Sequence, residues 1–281
     1  MPRPFGTAWL RHMGGRTFPR ATANGSVRAG KNEVARLPKV WENSAGRVAE
    51  LADAGALKAP GPKGRTGSIP VSPTRNPAES SVADKPGPMD VLWQRLQVEL
   101  PEAVARRVAA AYDAAGQAYL VPLCGQPVRV LPMAKRVEGP GGPVGFEPTL
   151  VCVQYLLTAQ DEPLAGERVG PRSLPSGDFF FRGPHDFPTE RLVTAFGDQP
   201  EAFCKASEKI GGQTVAAGDA AYEFAALPRV PMAIVLWRAD EEFPARVQML
   251  VDRGAHRQLP LDALLVLANV LAKRLIAAAE K

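Results

Sequence analysis

The proline and glycine content of the first 88 residues sets the strongest limit on what this 281-residue chain can fold into. That segment holds 11 Pro and 11 Gly and has almost no sustained apolar periodicity. Such a segment buries too little apolar surface to offset the conformational entropy that it would lose on ordering. We therefore predict that residues 1–88 are disordered and that one domain occupies residues 89–281.

The charge balance changes at the same place. The whole chain has 34 Lys and Arg against 29 Asp and Glu, and residues 1–88 hold 14 of the basic and 6 of the acidic side chains. The remaining residues therefore hold 20 basic and 23 acidic side chains, a net charge of −3. Because nucleic-acid binding needs a basic surface, this balance argues against a nucleic-acid partner.

Membrane and secretion signals are missing from the sequence pattern. No run approaches the roughly 18 apolar residues that a spanning helix needs, and neither Met1 nor Met89 opens a signal peptide. Cys124, Cys152 and Cys204 are widely spaced, which favours a reducing compartment over a disulfide framework. Together these features predict a cytoplasmic protein with no membrane partner.

Residues 47–75 resemble a transfer-RNA gene that has been translated as protein. The codons GGT TCG ATT CCC encode residues 67–70 and match the T-arm and loop of transfer RNAs. Upstream, residues 55–60 can be encoded by a nucleotide sequence whose two ends are complementary and flank a loop that resembles a serine-type anticodon loop. Because the two segments stand in the correct order, we expect residues 1–88 to be spurious upstream translation.

Apolar periodicity and turn signals predict the elements that follow Met89. A first amphipathic helix is followed by Pro101, which suits the first position of a second helix reaching Tyr112. β-rich runs on both sides of Gly125 and Gln126 predict a hairpin with a type II′ turn. The other predicted elements are a helix at 148–159, a strand at 177–181, helices at 188–196 and 200–210, strands at 221–227, 232–237 and 246–251, and a final helix that starts at 261.

This order of elements predicts an α+β domain with a mainly antiparallel sheet flanked by helices. A doubly wound parallel fold fits less well, because the strands do not alternate with helices. In the final helix, Lys273 and Arg274 lie in the last predicted turns, where cations interact favourably with the helix dipole.

Several sequence blocks in the C-terminal half resemble a known family. The blocks are residues 218–224, 227–231 and 236–244, together with 259–262 at the start of the last helix. Over residues 89–281 the chain resembles domain-of-unknown-function family 3786, which occurs in anaerobic bacteria and archaea. The resemblance implies no established activity, and the cysteine-rich iron–sulfur segment of some relatives is missing here.

Carboxylates and an imidazole follow the last predicted strands and form a first candidate site. Asp240, Glu241 and Glu242 follow one strand, and Asp252 and His256 follow the next. At a shared sheet edge these groups are suitable ligands for Fe²⁺, Mn²⁺ or Zn²⁺, although a solvated turn that protects the sheet end gives the same pattern. The candidate binding residues are Asp219, Glu223, Arg238, Asp240, Glu241, Glu242 and His256.

A second candidate cluster comprises Arg182, His185 and Asp186, which follow three phenylalanines at residues 179–181. A cation and an imidazole beside an aromatic wall suit an anionic planar ligand such as a tetrapyrrole or a nucleotide. The alternative is a core-facing aromatic cluster with a polar loop after it.

Three hypotheses about function follow from these observations. The first is a soluble accessory protein of anaerobic metabolism that binds a cofactor, a metal centre or a partner enzyme. The second is a metal- or cofactor-dependent enzyme that uses the carboxylates at the strand ends. The third is a purely structural interaction module. The sequence identifies no catalytic residue and leaves the cofactor, the metal and the oligomeric state open.

Overall fold

A computed structural model gives the fold of residues 86–280, the part of the chain that it describes. Within this range the α-helices are α1 (Pro88–Val98), α2 (Pro101–Arg107), α3 (Phe146–Thr158), α4 (Gly177–Phe180), α5 (Thr189–Phe196), α6 (Pro200–Lys209), α7 (Ala255–Gln258) and α8 (Leu261–Ala279). The strands are β1 (Ala111–Asp113), β2 (Ala118–Leu123), β3 (Gln126–Leu131), β4 (Arg136–Gly139), β5 (Gly142–Pro143), β6 (Arg168–Val169), β7 (Gln213–Thr214), β8 (Ala220–Leu227), β9 (Val230–Trp237) and β10 (Arg246–Asp252). The predictions for residues 1–85, including their disorder and the transfer-RNA resemblance, lie outside the described residues.

The strands form two antiparallel sheets, which confirms the α+β prediction and divides the expected sheet in two. The first sheet is a meander in the order β1-β2-β3-β4-β5, and the second has the order β6-β10-β9-β8-β7. Short turns between successive strands explain the meander, whereas β6 reaches β10 only after a long excursion of the chain.

The core includes the inner face of the second sheet, where α5 contacts β10 and α6 contacts β8, and it extends to α3 and α8. Tyr222, Ile234 and Met249 are aligned across β8, β9 and β10 and are buried on this face. α8 buries a leucine stripe that includes Leu267 and Leu271, spaced four residues apart. Burial of each such side chain contributes about 1.5–3 kcal/mol to the free energy of unfolding. The stripe therefore fixes α8 against the rest of the domain.

The tip of the β2–β3 hairpin connects the two sheets. The amide of Cys124 donates a hydrogen bond of 2.8 Å to the carbonyl of Ala226 in β8. Cys124 and Gly125 both have positive φ, 48° and 77°, which is the pattern of a type I′ turn and corrects the predicted type II′ turn at Gly125 and Gln126. A Cβ at Gly125 would lie 2.2 Å from the carbonyl oxygen of Ile210, so the close approach requires glycine.

The predicted strand at 177–181 is wrong, because this segment forms the short helix α4. The amide of Phe181 donates to the carbonyl of Gly177 at 2.8 Å, which closes a helical turn. Phe181 is fully buried, whereas Phe179 is 85% exposed, so the three phenylalanines do not share one environment. Gly177 permits the turn, since a Cβ there would lie 2.2 Å from the Pro171 carbonyl oxygen.

The second predicted helix is shorter than expected. α2 ends at Arg107, and Ala109 has a φ of 53°, which turns the chain out of the helix. Tyr112 therefore lies in β1, opposite Tyr119 of β2, and their rings are 5.1 Å apart.

A buried polar network connects α2, α3 and the turn between β8 and β9. The Tyr155 hydroxyl donates to the Val108 carbonyl at 2.7 Å and accepts from the Arg229 amide at 3.1 Å. The Arg229 side chain donates in turn to the carbonyl of Arg107 at 2.8 Å and to that of Glu162 at 3.1 Å. These bonds satisfy backbone groups that burial removes from water.

None of the described helices has the combination of length and apolar character that crossing a bilayer requires.

Candidate functional site

The structure separates the two halves of the first candidate site. Trp237 pairs with Arg246 at one end of the β9–β10 pair, so Asp240, Glu241 and Glu242 lie in the loop that joins the strands there. Met232 pairs with Val251 at the other end, where Asp252 and His256 follow β10. The five steps between these two pairs, at about 3.4 Å each, place the two groups roughly 17 Å apart. The shared sheet edge expected from the sequence therefore does not form.

Local hydrogen bonds occupy the carboxylates at both ends. Asp240 Oδ1 accepts from the amides of Glu242 at 2.9 Å and Phe243 at 2.7 Å, as an Asx turn requires. The buried carboxylate of Asp252 accepts from the amides of Ala165, Gly166 and Gly254 at 2.8–3.0 Å.

The imidazole of His256 also lies in a local contact, with Nδ1 at 3.1 Å from the carbonyl oxygen of Arg253. Over residues 86–280, no group of three or more His, Cys, Asp or Glu side chains is placed to hold a metal ion.

The other members of the first set hold strand ends and neighbouring elements together. Asp219 Oδ2 accepts from the Arg238 amide at 2.8 Å, and the Arg238 guanidinium lies 2.9 Å from Glu201 of α6. Glu223 pairs with Arg168 at 2.6 Å across a cavity of about 140 Å³ on the outer face of the second sheet. Arg168 and Glu223 neutralise each other, and Asp252, which also lines this cavity, accepts backbone hydrogen bonds, so these charged groups already have partners.

The second candidate cluster is divided among separate contacts. Arg182 pairs with Asp178 one helical turn earlier, and Asp186 pairs with Arg172 at 2.6 Å. The His185 ring lies 5.7 Å from the ring of Phe180. Phe181 and Phe187 pack edge to face in the core, with ring centroids 5.2 Å apart. Phe181 and Phe187 therefore face the core, as the alternative interpretation expected, whereas Phe179 is exposed.

A larger cavity, of about 330 Å³, lies between the meander sheet, the start of α3 and the C-terminal part of α8. Its volume is in the lower part of the range of about 300–1,000 Å³ that is typical of small-molecule sites. Apolar side chains form much of the wall, and they include Leu123, Val128, Val144, Pro148 and Val270.

Arg274 is the distinctive polar group in this cavity. Its Nε is buried and has no hydrogen-bond acceptor among residues 86–280. Burial lowers the pKa of Arg274, because the charged guanidinium loses hydration, but a group with an ordinary pKa of 12.5 keeps its charge at neutral pH. A buried donor without an acceptor costs about 1–3 kcal/mol, so the position of Arg274 has a stability cost.

The neighbouring charges at the rim are paired. Lys273 lies 2.6 Å from Glu147 at the start of α3, and both side chains are substantially exposed. Cys124, on the opposite wall, is buried, and burial raises the pKa of its thiol to about 12. The thiol is therefore neutral, and Arg274 supplies the net positive charge of the cavity.

Helical periodicity explains how α8 presents this wall. Val270, Lys273 and Arg274 occupy positions i, i+3 and i+4, which lie on one side of a helix. α8 continues to Ala279, so Lys273 and Arg274 lie in its penultimate turn. The sequence contained one signal for this site, because Lys273 and Arg274 form a charged pair within an otherwise apolar helix. The prediction from the sequence placed this pair near the end of the helix.

The sequence profile of the family described as domain of unknown function (DUF3786) matches residues 101–274, more than half of the chain. The chain therefore belongs to the DUF3786 family. No curated protein and no solved structure matches the chain. The DUF3786 region extends from the start of α2 to Arg274, so all residues that line the 330 Å³ cavity lie within the domain that defines the family.

Proposed function

We propose that this DUF3786 domain is a binding protein whose ligand is a small molecule held in the cavity beside Arg274. This specifies the accessory-protein hypothesis drawn from the sequence, and the association with anaerobic metabolism rests on the family resemblance alone. The observation that carries the proposal is Arg274, a guanidinium that lines a largely apolar cavity and forms no ion pair with the residues that the structure describes.

The cavity has the properties of a binding site. Small-molecule sites combine apolar walls with a few polar groups that orient the ligand. Here Leu123, Val128 and Val270 provide apolar wall, whereas Arg274 and Gln126 provide polar groups. A ligand with a negatively charged acceptor would pair with the Arg274 guanidinium and offset its desolvation cost.

A catalytic function gains less support from the geometry. The carboxylates of Asp240 and Asp252 accept local backbone hydrogen bonds, and Glu223 forms an ion pair with Arg168. Beside Arg274, the Cys124 thiol is held protonated by burial and is a poor nucleophile in that state.

Native mass spectrometry of the full chain, purified from its own source without oxygen, tests the proposal. We expect a mass that exceeds the bare chain by that of one small organic molecule. Val270→Trp fills the cavity and is expected to remove the extra mass, whereas Arg238→Gln, at an exposed ion pair outside the cavity, is the matched control and retains it.

A bare wild-type mass would overturn the proposal and favour the interaction-module hypothesis. Extra mass that survives Val270→Trp in a variant with an unchanged thermal midpoint would place the ligand elsewhere in the chain. Circular dichroism of each variant separates loss of ligand from loss of fold.

A further inference from the structure

We infer that the ligand of this cavity is a monocarboxylate with a compact apolar body. The inference rests on the proposed function and names the chemical class of the ligand at the same site. It follows from the charge, the hydrogen-bonding geometry and the size of the cavity.

The charge of the cavity selects a single negative charge. Within the described part of the chain Arg274 forms no ion pair, whereas Lys273 and Glu147 neutralise each other at 2.6 Å. A dianion such as phosphate would leave one charge uncompensated in a partly desolvated site and would approach the Glu147 carboxylate at the rim. A monoanion matches the net charge of +1 of these three side chains.

The shape of the guanidinium favours a planar acceptor. A carboxylate can accept two parallel hydrogen bonds from one guanidinium, and such bidentate pairs combine specificity with strength. Arg274 lines the cavity, and the two terminal nitrogens of its guanidinium can supply these two donors.

The walls define the rest of the molecule. Leu123, Val128, Val144 and Val270 favour an apolar body rather than a sugar or a phosphate chain. A cavity of about 330 Å³ has the volume of about 11 water molecules at about 30 Å³ each, which limits the ligand to a compact molecule. A C5–C8 aliphatic or aromatic acid fits this limit.

Isothermal titration of the full chain, freed of bound small molecules, tests the inference with four probes. The probes are hexanoate, benzoate, inorganic phosphate and 1-hexanol. We expect the two carboxylates to bind more tightly than phosphate and hexanol. Arg274→Gln should weaken carboxylate binding roughly 10- to 100-fold, because it removes a charged bidentate partner, while hexanol binding changes little.

A second variant tests the charge argument independently. Glu147→Gln frees Lys273 and adds a positive charge at the rim, so we expect phosphate to gain more affinity than hexanoate. Arg136→Gln, which breaks an exposed ion pair with Glu138, is the matched control and should leave all four affinities unchanged.

The outcomes separate failure of the inference from failure of the proposed function. Phosphate or hexanol binding more tightly than the carboxylates, with all binding lost in Val270→Trp, would overturn the inference and retain the binding site. An Arg274→Gln variant that binds hexanoate like the wild type would also overturn the inference. Both proposals fail if no probe binds to the wild type in the titration and the native mass spectrum of Val270→Trp shows the same mass excess, or the same lack of one, as that of the wild type.

Discussion

In this protein, the surroundings of a single charged side chain indicate a ligand site better than the acidic clusters in the sequence do. Asp240 and Asp252 attract attention in the sequence, yet each accepts backbone hydrogen bonds that hold a turn or a loop. Arg274 looks unremarkable in the sequence, yet its Nε lacks an acceptor. Whether a charged residue is free for a ligand depends on its neighbours, which the residue type does not reveal.

Removal of one buried hydroxyl tests the network around Tyr155. Tyr155→Phe deprives the Val108 carbonyl and the Arg229 amide of a partner without opening a cavity. We expect a loss of about 1–3 kcal/mol in the free energy of unfolding, measured by urea titration. Tyr222→Phe is the control, since its hydroxyl donates to the Glu208 side chain at 3.1 Å, and should cost less. Equal costs would contradict a special role for Tyr155.

Secondary structure was predictable from the sequence where a local pattern determines it. The prediction failed where tertiary contacts determine the conformation of the segment. The local apolar pattern was sufficient to predict β9 and the strands beside it. The segment around Gly177 has strand-like aromatics, but its turn depends on a close approach to Pro171 that no pattern records. Arg274 and Leu123 are far apart in sequence, so the cavity was not predictable by spacing.

Substitution of Gly177 tests whether this close approach determines α4. A Cβ at Gly177 would lie 2.2 Å from the carbonyl oxygen of Pro171, so Gly177→Ala must shift the backbone. We expect a loss of about 1–3 kcal/mol by urea unfolding, the cost typical of overpacking. Gly170→Ala is the matched control, because a Cβ there meets nothing within 4 Å, and should change stability by less than about 0.5 kcal/mol. Similar losses in both variants would refute the steric explanation.

At the scale of the whole molecule, the two sheets share one core, and several ionisable groups are buried in it. Cys124 and Tyr119 both belong to this core. Burial raises the pKa of the Cys124 thiol from 9.0 to about 12 and that of Tyr119 from 10.0 to about 12. The folded protein therefore retains protons that the unfolded chain releases.

This difference predicts alkaline destabilisation. Below pH 9 both groups are protonated in both states, so their contribution to stability is complete. Between pH 9 and about 12 the unfolded chain binds fewer protons, and stability falls by up to about 1.4 kcal/mol per pH unit for each group. Urea unfolding at pH 8, 9, 10 and 11 measures the slope. Cys124→Ala should reduce the slope between pH 9 and 10, and an unchanged slope would contradict the prediction.

The order of the elements in this domain has a consequence for synthesis. Chains fold as they emerge from the ribosome, N-terminal parts first, but α8 follows the other described elements and supplies residues 261–279 to the core and one wall of the cavity. The apolar surfaces of α3 and α6 that contact α8 therefore stay uncovered until residues 261–279 have been synthesised. A premature stop before Leu261 would leave that surface exposed for good, so we expect such truncated products to depend on chaperones or to be degraded.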